Sequence, residues 1–241
     1  VGQGETIGTG VVLEEVTRLR RLEQIRTDFA ANVSHELRTP ITSISGYAEI
    51  LQETDDPELI RKCGDVIVRN TSRLSAIIED LLALARIEDP QRRSMLELES
   101  VQIGSVFDSV IHSTKEAAQA QKVTITCHVD GEPTVRGTRP LLEQAISNLL
   151  SNAIKYGGGD APIEIRCSTT DDGMVRIEVE DFGAGIANEH LDRIFERFYR
   201  VDRSRSRELG GTGLGLAIVK HITSVLGGNI QAKSQLGVGT I

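Results

Sequence analysis

Tryptophan is absent from this 241-residue chain, and aromatic residues make up only 3% of it. Any core must therefore be built from aliphatic side chains, which the 39% hydrophobic content supplies. Cysteine is scarce too. Cys63, Cys127 and Cys167 lie far apart in apolar stretches, without CxxC spacing. That excludes a cysteine-rich metal site or disulfide framework and predicts three reduced core thiols of a cytosolic protein. Basic residues are outnumbered, for a formal net charge of −8. General nucleic-acid binding needs a basic surface and is excluded. No run of about 18 apolar residues occurs, so no membrane span is expected within the chain. No signal peptide is visible, and any membrane anchor is expected in segments outside this chain.

What is present begins with a helical pattern. Leu22, Ile25, Phe29, Val33, Leu37, Ile41, Ile44, Ala48 and Leu51 recur at spacings of three and four. Asp56 then suits a helix N-cap and Pro57 a first helical position. In the next segment Ile60, Cys63, Ile67, Asn70, Leu74, Ile77, Leu81 and Leu84 form a heptad stripe. Leu59, Val66, Ile78, Leu82 and Ala85 widen it. The reading is an antiparallel helical hairpin over residues 18–90. One hairpin cannot cover so wide an apolar face, so a homodimeric four-helix bundle is expected. Upstream, residues 1–17 read as turn and strand, the remnant of a preceding domain. Residues 89–94 read as a linker.

Residues 91–241 mix elements. Helices are expected over 106–120, 139–156, 191–198 and 214–226, and a strand over 123–129. Strands at 163–167 and 175–179 flank the turn Asp171-Asp172-Gly173. The class expected is α+β, a helical hairpin followed by an α/β sandwich, with the last strand truncated at Ile241.

Five segments carry residues suited to chemistry. The first is Ser34-His35-Glu36-Leu37-Arg38-Thr39-Pro40, inside the first helix. A neutral imidazole nitrogen is a good phosphoryl acceptor near pH 7. Glu36 can hold the other ring nitrogen. Thr39, four residues on, shares the helix face of His35 and can position a water. Pro40 is expected to bend the helix. In the second, Asn148, Asn152 and Lys155 share one helix face, with Tyr156 following. Their carboxamide oxygens suit Mg²⁺, and the ammonium suits phosphate. In the third, Asp181 precedes Gly183, Gly185 and Ile186 at a strand end. Its carboxylate can accept the amino group of adenine, and the glycines admit a ligand close to the backbone. The fourth, 194–200, ends in Arg200, which can stabilise charge on a transferring phosphate. The fifth, Gly210-Gly211-Thr212-Gly213-Leu214-Gly215-Leu216, leads into a helix whose N–H groups can receive phosphate. No preceding strand or βαβ unit supports a Rossmann reading. The polar stretch 201–209, with Arg203, Arg205 and Arg207, reads as a lid.

Residues 34–40 resemble the H box of sensor histidine kinases of two-component systems. The later segments resemble that family's N, G1, F and G2 boxes in the same order, and residues 237–240 its last glycine motif. Phe182 stands where the family more often has Asn. The resemblance covers roughly residues 18–241. It implies a HisKA dimerisation and phosphoacceptor domain joined to an ATP-binding domain of the GHKL (Bergerat) type. Residues 1–17 resemble the end of a PAS sensory domain. The implied activity is ATP-dependent autophosphorylation on His35 and transfer to an aspartate of a response regulator, with phosphatase activity involving Thr39. The implied catalytic residues are His35, Glu36 and Thr39. ATP would be held by Asn148, Asn152, Lys155, Tyr156, Asp181, Gly183, Gly185, Ile186, Arg200, Gly211, Thr212, Gly213, Leu214, Gly215 and Leu216, with Mg²⁺ on Asn148 and Asn152. The implied setting is the cytoplasmic part of an inner-membrane-anchored bacterial sensor. A clamp ATPase of the chaperone and topoisomerase kind is disfavoured by the H box and short hairpin, and an inert scaffold by the intact boxes.

Overall fold

The computed structural model describes residues 2–158, 161–202 and 210–241, excluding the side chains of residues 2–19, 21, 22, 25, 26, 92 and 93. The expected lid arginines and the stripe positions Leu22 and Ile25 lie outside what is described. The chain divides into two compact units, Val1–Ile77 and Ile78–Ile241.

The first unit is helical. Helix α1 spans Gly2–Glu53 and runs on through Pro40; helix α2 spans Pro57–Glu88 and carries its last turns into the second unit. The turn and strand expected within residues 1–17 are helix instead. Extending a nucleated helix fixes one residue per hydrogen bond gained, so a long helix can absorb glycines that would otherwise mark turns. Between α1 and α2, Asp56 caps as expected: the Glu58 N–H donates to its Oδ1 at 2.9 Å. The heptad stripe holds where α2 faces α1. Cys63 and Ile77 are buried, and Asn70 Nδ2 donates to Ser43 Oγ at 3.2 Å across the hairpin.

The second unit continues from the end of α2 through a one-turn helix, α3 (Pro90–Ser94), where a linker was expected. Strand β1 (Glu99–Gln102) leads into α4 (Ile103–Ala120); β2 (Ile125–Val129) and β3 (Thr134–Gly137) precede α5 (Arg139–Tyr156). Strands β4 (Ile163–Thr169) and β5 (Val175–Glu180) follow, then the single turn α6 (Asn188–Leu191), α7 (Gly215–Val225), β6 (Ser234–Gln235) and β7 (Gly239–Thr240). The main sheet has the order β2-β4-β5, with β2 parallel and β5 antiparallel to β4. Ile163, Ile165 and Cys167 of β4 point inward against Phe107, Val110, Ile146 and Leu150 of α4 and α5. The opposite face is polar, with Arg166 ion-paired to Glu164, Glu178 and Glu180. One covered and one solvated face explain the clean alternation of β4 and β5.

Two further expectations are corrected. The helix expected over 191–198 stops at its first residue: α6 ends at Leu191, and residues 192–198 form successive turns, with N–H donors reaching back three residues from Arg193, Glu196 and Tyr199. The break is fixed at Phe198, whose φ of 62° takes it out of the helical region so that its N–H meets the Gly213 carbonyl at 2.7 Å. Cys127 is exposed, unlike the buried Cys63 and Cys167, because β2 is an edge strand with a neighbour on one side only. Burial pushes the Cys167 thiol up to about 11, as befits an inert core thiol.

Replacing Asp56 with Ala is expected to lower stability by about 1 kcal/mol through loss of the cap, read as a lower urea midpoint with an unchanged slope.

Candidate functional site

In the second unit, the predicted ligand-binding residues gather along the C-terminal half of α5 and the loops packed on it. Helix α5 buries Leu142, Ala145, Ile146, Leu150, Ala153 and Ile154 in the core. The same 3.6-residue period turns Asn148, Asn152 and Lys155 to another face, where all three are half-buried.

The loop after β5 is held by close backbone approach. A β-carbon on Gly183 would run into the Tyr156 carbonyl and lie 2.8 Å from Gly157 Cα. Gly185, at φ 67°, has the Gln235 carbonyl in the same position. Asp181 joins this loop to the last strand pair: its N–H donates to Thr240 O at 2.8 Å and its carbonyl accepts from the Thr240 N–H at 3.0 Å. Its carboxylate accepts from the Gly183 N–H at 2.9 Å. Burial raises the Asp181 carboxyl above its ordinary range, partly offset by that bond. The Ile186 N–H donates to Ser234 Oγ at 2.7 Å, and that hydroxyl donates on to Gly239 O at 2.7 Å. Ser234 thus fixes the Asp181 loop against the terminal hairpin.

The second glycine segment closes the other side of α5. Asn148 Nδ2 donates to Gly215 O at 3.3 Å, which ties the helix to the start of α7. Gly213, at φ 76°, lies under Phe198 and Arg200: a β-carbon there would be 2.9 Å from Phe198 Cα and 3.3 Å from Arg200 Nε. Gly211 and Leu216 are half-buried in the same segment. Leu214 is fully buried, and its N–H donates to Thr212 Oγ1 at 3.2 Å, so this residue anchors the loop.

One participant escaped motif reading. Asp80, on the last turns of α2, accepts a hydrogen bond from Thr212 Oγ1 at 2.6 Å. Burial raises its carboxyl, with Thr212 and the Lys155 charge opposing. Burial likewise lowers the Lys155 ammonium, with Asp80 opposing. Its signal was positional: Asp80 lies three residues after Ile77 and four before Leu84, on the buried face of the heptad stripe. Perturbed groups gathered on glycine-walled loops mark a functional site. The Lys155 ammonium and the N-terminus of α7 suit a polyanion, and the carboxamide oxygens of Asn148 and Asn152 suit the divalent cation that accompanies one.

In the first unit His35 and Thr39 are exposed, and Pro40 is buried. Thr39 Oγ1 donates to the His35 carbonyl at 3.2 Å. Glu36 is half-buried and ion-paired with Arg73 of α2 at 2.8 Å. Among the described residues, no cluster of three or more His, Cys, Asp or Glu side chains could hold a metal, and no helix is long and apolar enough to cross a membrane.

Taken unit by unit, the chain is a helical hairpin with an exposed histidine and an α/β domain of the ATPase class. Residues 25–90 match the His Kinase A (phospho-acceptor) domain family, and residues 137–241 match the histidine kinase-, DNA gyrase B- and HSP90-like ATPase family. The chain is 40% identical over 231 residues to the sensor-like histidine kinase SenX3 of Mycolicibacterium smegmatis, covering 95% of this chain and 59% of that protein. It is 37% identical over 235 residues to the phosphate regulon sensor protein PhoR of Pseudomonas aeruginosa, covering 95% and 52%. Among solved structures, histidine kinase AdeS of Acinetobacter baumannii superposes with a TM-score of 0.67 at 28% identity, covering 86% of this chain and 94% of that one. Histidine kinase ThkA, in complex with response regulator protein TrrA, gives 0.72 at 26% identity, covering 95% and 63%. The chain belongs to the sensor histidine kinase family. It spans little more than half the length of the curated relatives SenX3 and PhoR.

Asp181→Asn keeps an acceptor for the Gly183 N–H while removing a charge that is costly to bury. The wild-type folded-state pKa lies above the unfolded one, so the burial cost is full above the folded-state value, declines as pH falls below it and vanishes below the unfolded value. The variant is expected to melt a few degrees higher at neutral pH, with the gap closing on acidification, and to lose adenine nucleotide binding; calorimetry across pH and nucleotide titration check both.

Proposed function

We propose that this chain is the catalytic core of a sensor kinase that transfers the γ-phosphoryl group of ATP to its own His35, and from there to an aspartate of a response regulator. The observation that carries this reading is an exposed histidine in a phospho-acceptor hairpin, on the same chain as a glycine-walled α5 face bearing Lys155. The nucleophile is a neutral ring nitrogen of His35, which attacks the γ-phosphorus opposite the leaving ADP oxygen. Glu36 orients the ring through its other nitrogen. Asp181 receives the adenine amino group. Lys155, Arg200 and the N–H groups at the start of α7 take the phosphate charge.

Asn148 and Asn152 would hold Mg²⁺ through their carboxamide oxygens. The fit is supported by the bond from Asn148 Nδ2 to Gly215 O, which turns the amide nitrogen to the loop and leaves Oδ1 for a ligand. When bound, the ion would neutralise phosphate charge.

The regulator as partner is supported by the solved relative ThkA, whose structure is a complex with a response regulator. Phosphatase action on that regulator belongs to the same reading, with the Thr39 hydroxyl oxygen accepting from the attacking water. A homodimer through the hairpin is supported by the apolar residues left exposed on the first unit: Ile41, Ile50, Leu59, Ile60 and Val68. The setting proposed is the cytoplasmic side of a membrane-anchored bacterial sensor.

Incubation with γ-labelled ATP and Mg²⁺ is expected to give an acid-labile, alkali-stable protein label. His35→Gln should abolish it; a label that survives assigns the acceptor elsewhere. Asn152→Ala should lower the labelling rate by about 100-fold or more, the scale of losing one preorganised charge-stabilising group, with unchanged circular dichroism.

A further inference from the structure

Arg73 belongs to none of the motif segments. It projects from α2 toward the H box of α1, and its side chain is only 9% exposed. Its Nη2 donates to Glu36 Oε2 at 2.8 Å, while its Nε–H is buried with no acceptor among the described residues. Arginine on a helix surface usually extends its head into water. A guanidinium buried against a carboxylate gains little net stability, because desolvation offsets the attraction, and a pair of apolar residues in place of both partners often serves the fold as well. What the pair does achieve is geometric. A glutamate on a helix samples several rotamers, and pinning Oε2 to a planar, rigid donor confines to a narrow range the carboxylate of the residue that follows His35 in sequence.

We infer that Arg73 is a positioning residue for phosphoryl transfer, acting through Glu36 to fix the carboxylate that orients the His35 imidazole. This rests on the reading of His35 as the acceptor. Autophosphorylation of the 241-residue chain is followed over a range of ATP concentrations for wild type, Arg73→Met, Arg73→Lys, Glu36→Gln and the Glu36→Gln/Arg73→Met double variant. Arg73→Met is expected to lower kcat by about 10-fold or more, a share of what a positioned base contributes. KM for ATP should not change, while thermal stability should fall, because the half-buried Glu36 carboxylate is left without the guanidinium. Arg73→Lys should recover part of the rate, since it restores the charge without the fork. In the Glu36→Gln background the Arg73→Met change should have no further effect. If Arg73→Met fails to fold, Arg73→Lys takes its place in the cycle, with the same non-additivity expected. A wild-type rate in the Arg73 variant, or an equal fold-loss in both backgrounds, overturns the inference and leaves the acceptor assignment standing. A wild-type chain that takes no label on His35 overturns both.

Discussion

Gly183 has no room for a side chain, and much of the second unit follows from that. The end of α5 and the loop after β5 approach until the Tyr156 carbonyl fills the space where a β-carbon would project. Gly185 is pressed in the same way against Gln235, and Gly239 lies 2.8 Å, at its missing β-carbon, from Phe182 Cα. Three backbone segments are thereby held at distances that only glycine permits. Asp181 sits where they meet, paired to Thr240 through both backbone groups. Its carboxylate direction is set by rigid main chain on both sides. A ligand read by that carboxylate meets a fixed acceptor, and little ordering is left to be done on binding.

The first unit follows a different constraint, an apolar surface larger than its own two helices can cover. The row that packs between α1 and α2 is covered, with Cys63 and Ile77 fully buried, while Leu59 and Ile60 stay exposed. Burial is worth about 25 cal/mol per Å² of apolar surface, so an uncovered row of this kind is a standing drive toward association. The same hairpin presents His35 to solvent. A helix supported along one side by packing can hold an exposed side chain in place without enclosing it.

Legibility in the sequence tracked how local each determinant was. The heptad stripe of α2, the Asp56 cap, α5 and the β4–β5 hairpin are encoded by neighbours within a few residues, and each was read in place. The close backbone approaches at Gly183, Gly185 and Gly213 are legible because glycine spacing is itself the signal. Strands β1, β3, β6 and β7 were missed, being two to four residues long and defined by pairing with distant partners. Residues 191–198 looked helical by apolar spacing, but a bond from Phe198 to Gly213, fifteen positions on, overrules the period. Residues 2–17 failed the other way: glycine content suggests turns where the helix runs. Asp80, Arg73 and Ser234 were passed over because each is an ordinary polar residue whose meaning comes from what lies across the fold. For the first two a clue existed, since Asp80 follows Ile77 by three residues and Arg73 precedes it by four, placing charge beside a buried stripe.

The two units place their electrostatic costs differently. In the second, Asp80 and Asp181 are both pushed by burial toward their neutral forms, and Lys155 is pushed the same way from the opposite sign. A fold selected for stability alone would replace such groups with apolar ones. Perturbed ionisable groups set beside glycine-walled loops are what a binding site retains and a packed core does not. In the first unit the only comparably buried ion pair described is Glu36 with Arg73, immediately beside an exposed histidine. A ligand that must be gripped calls for desolvated, preorganised groups. A phosphoryl acceptor of the kind proposed for His35 calls for exposure, with its fixed charges kept one residue away. The chain separates these requirements onto different units, and that separation is why neither a helical hairpin nor an ATPase fold alone would account for the residues each one carries.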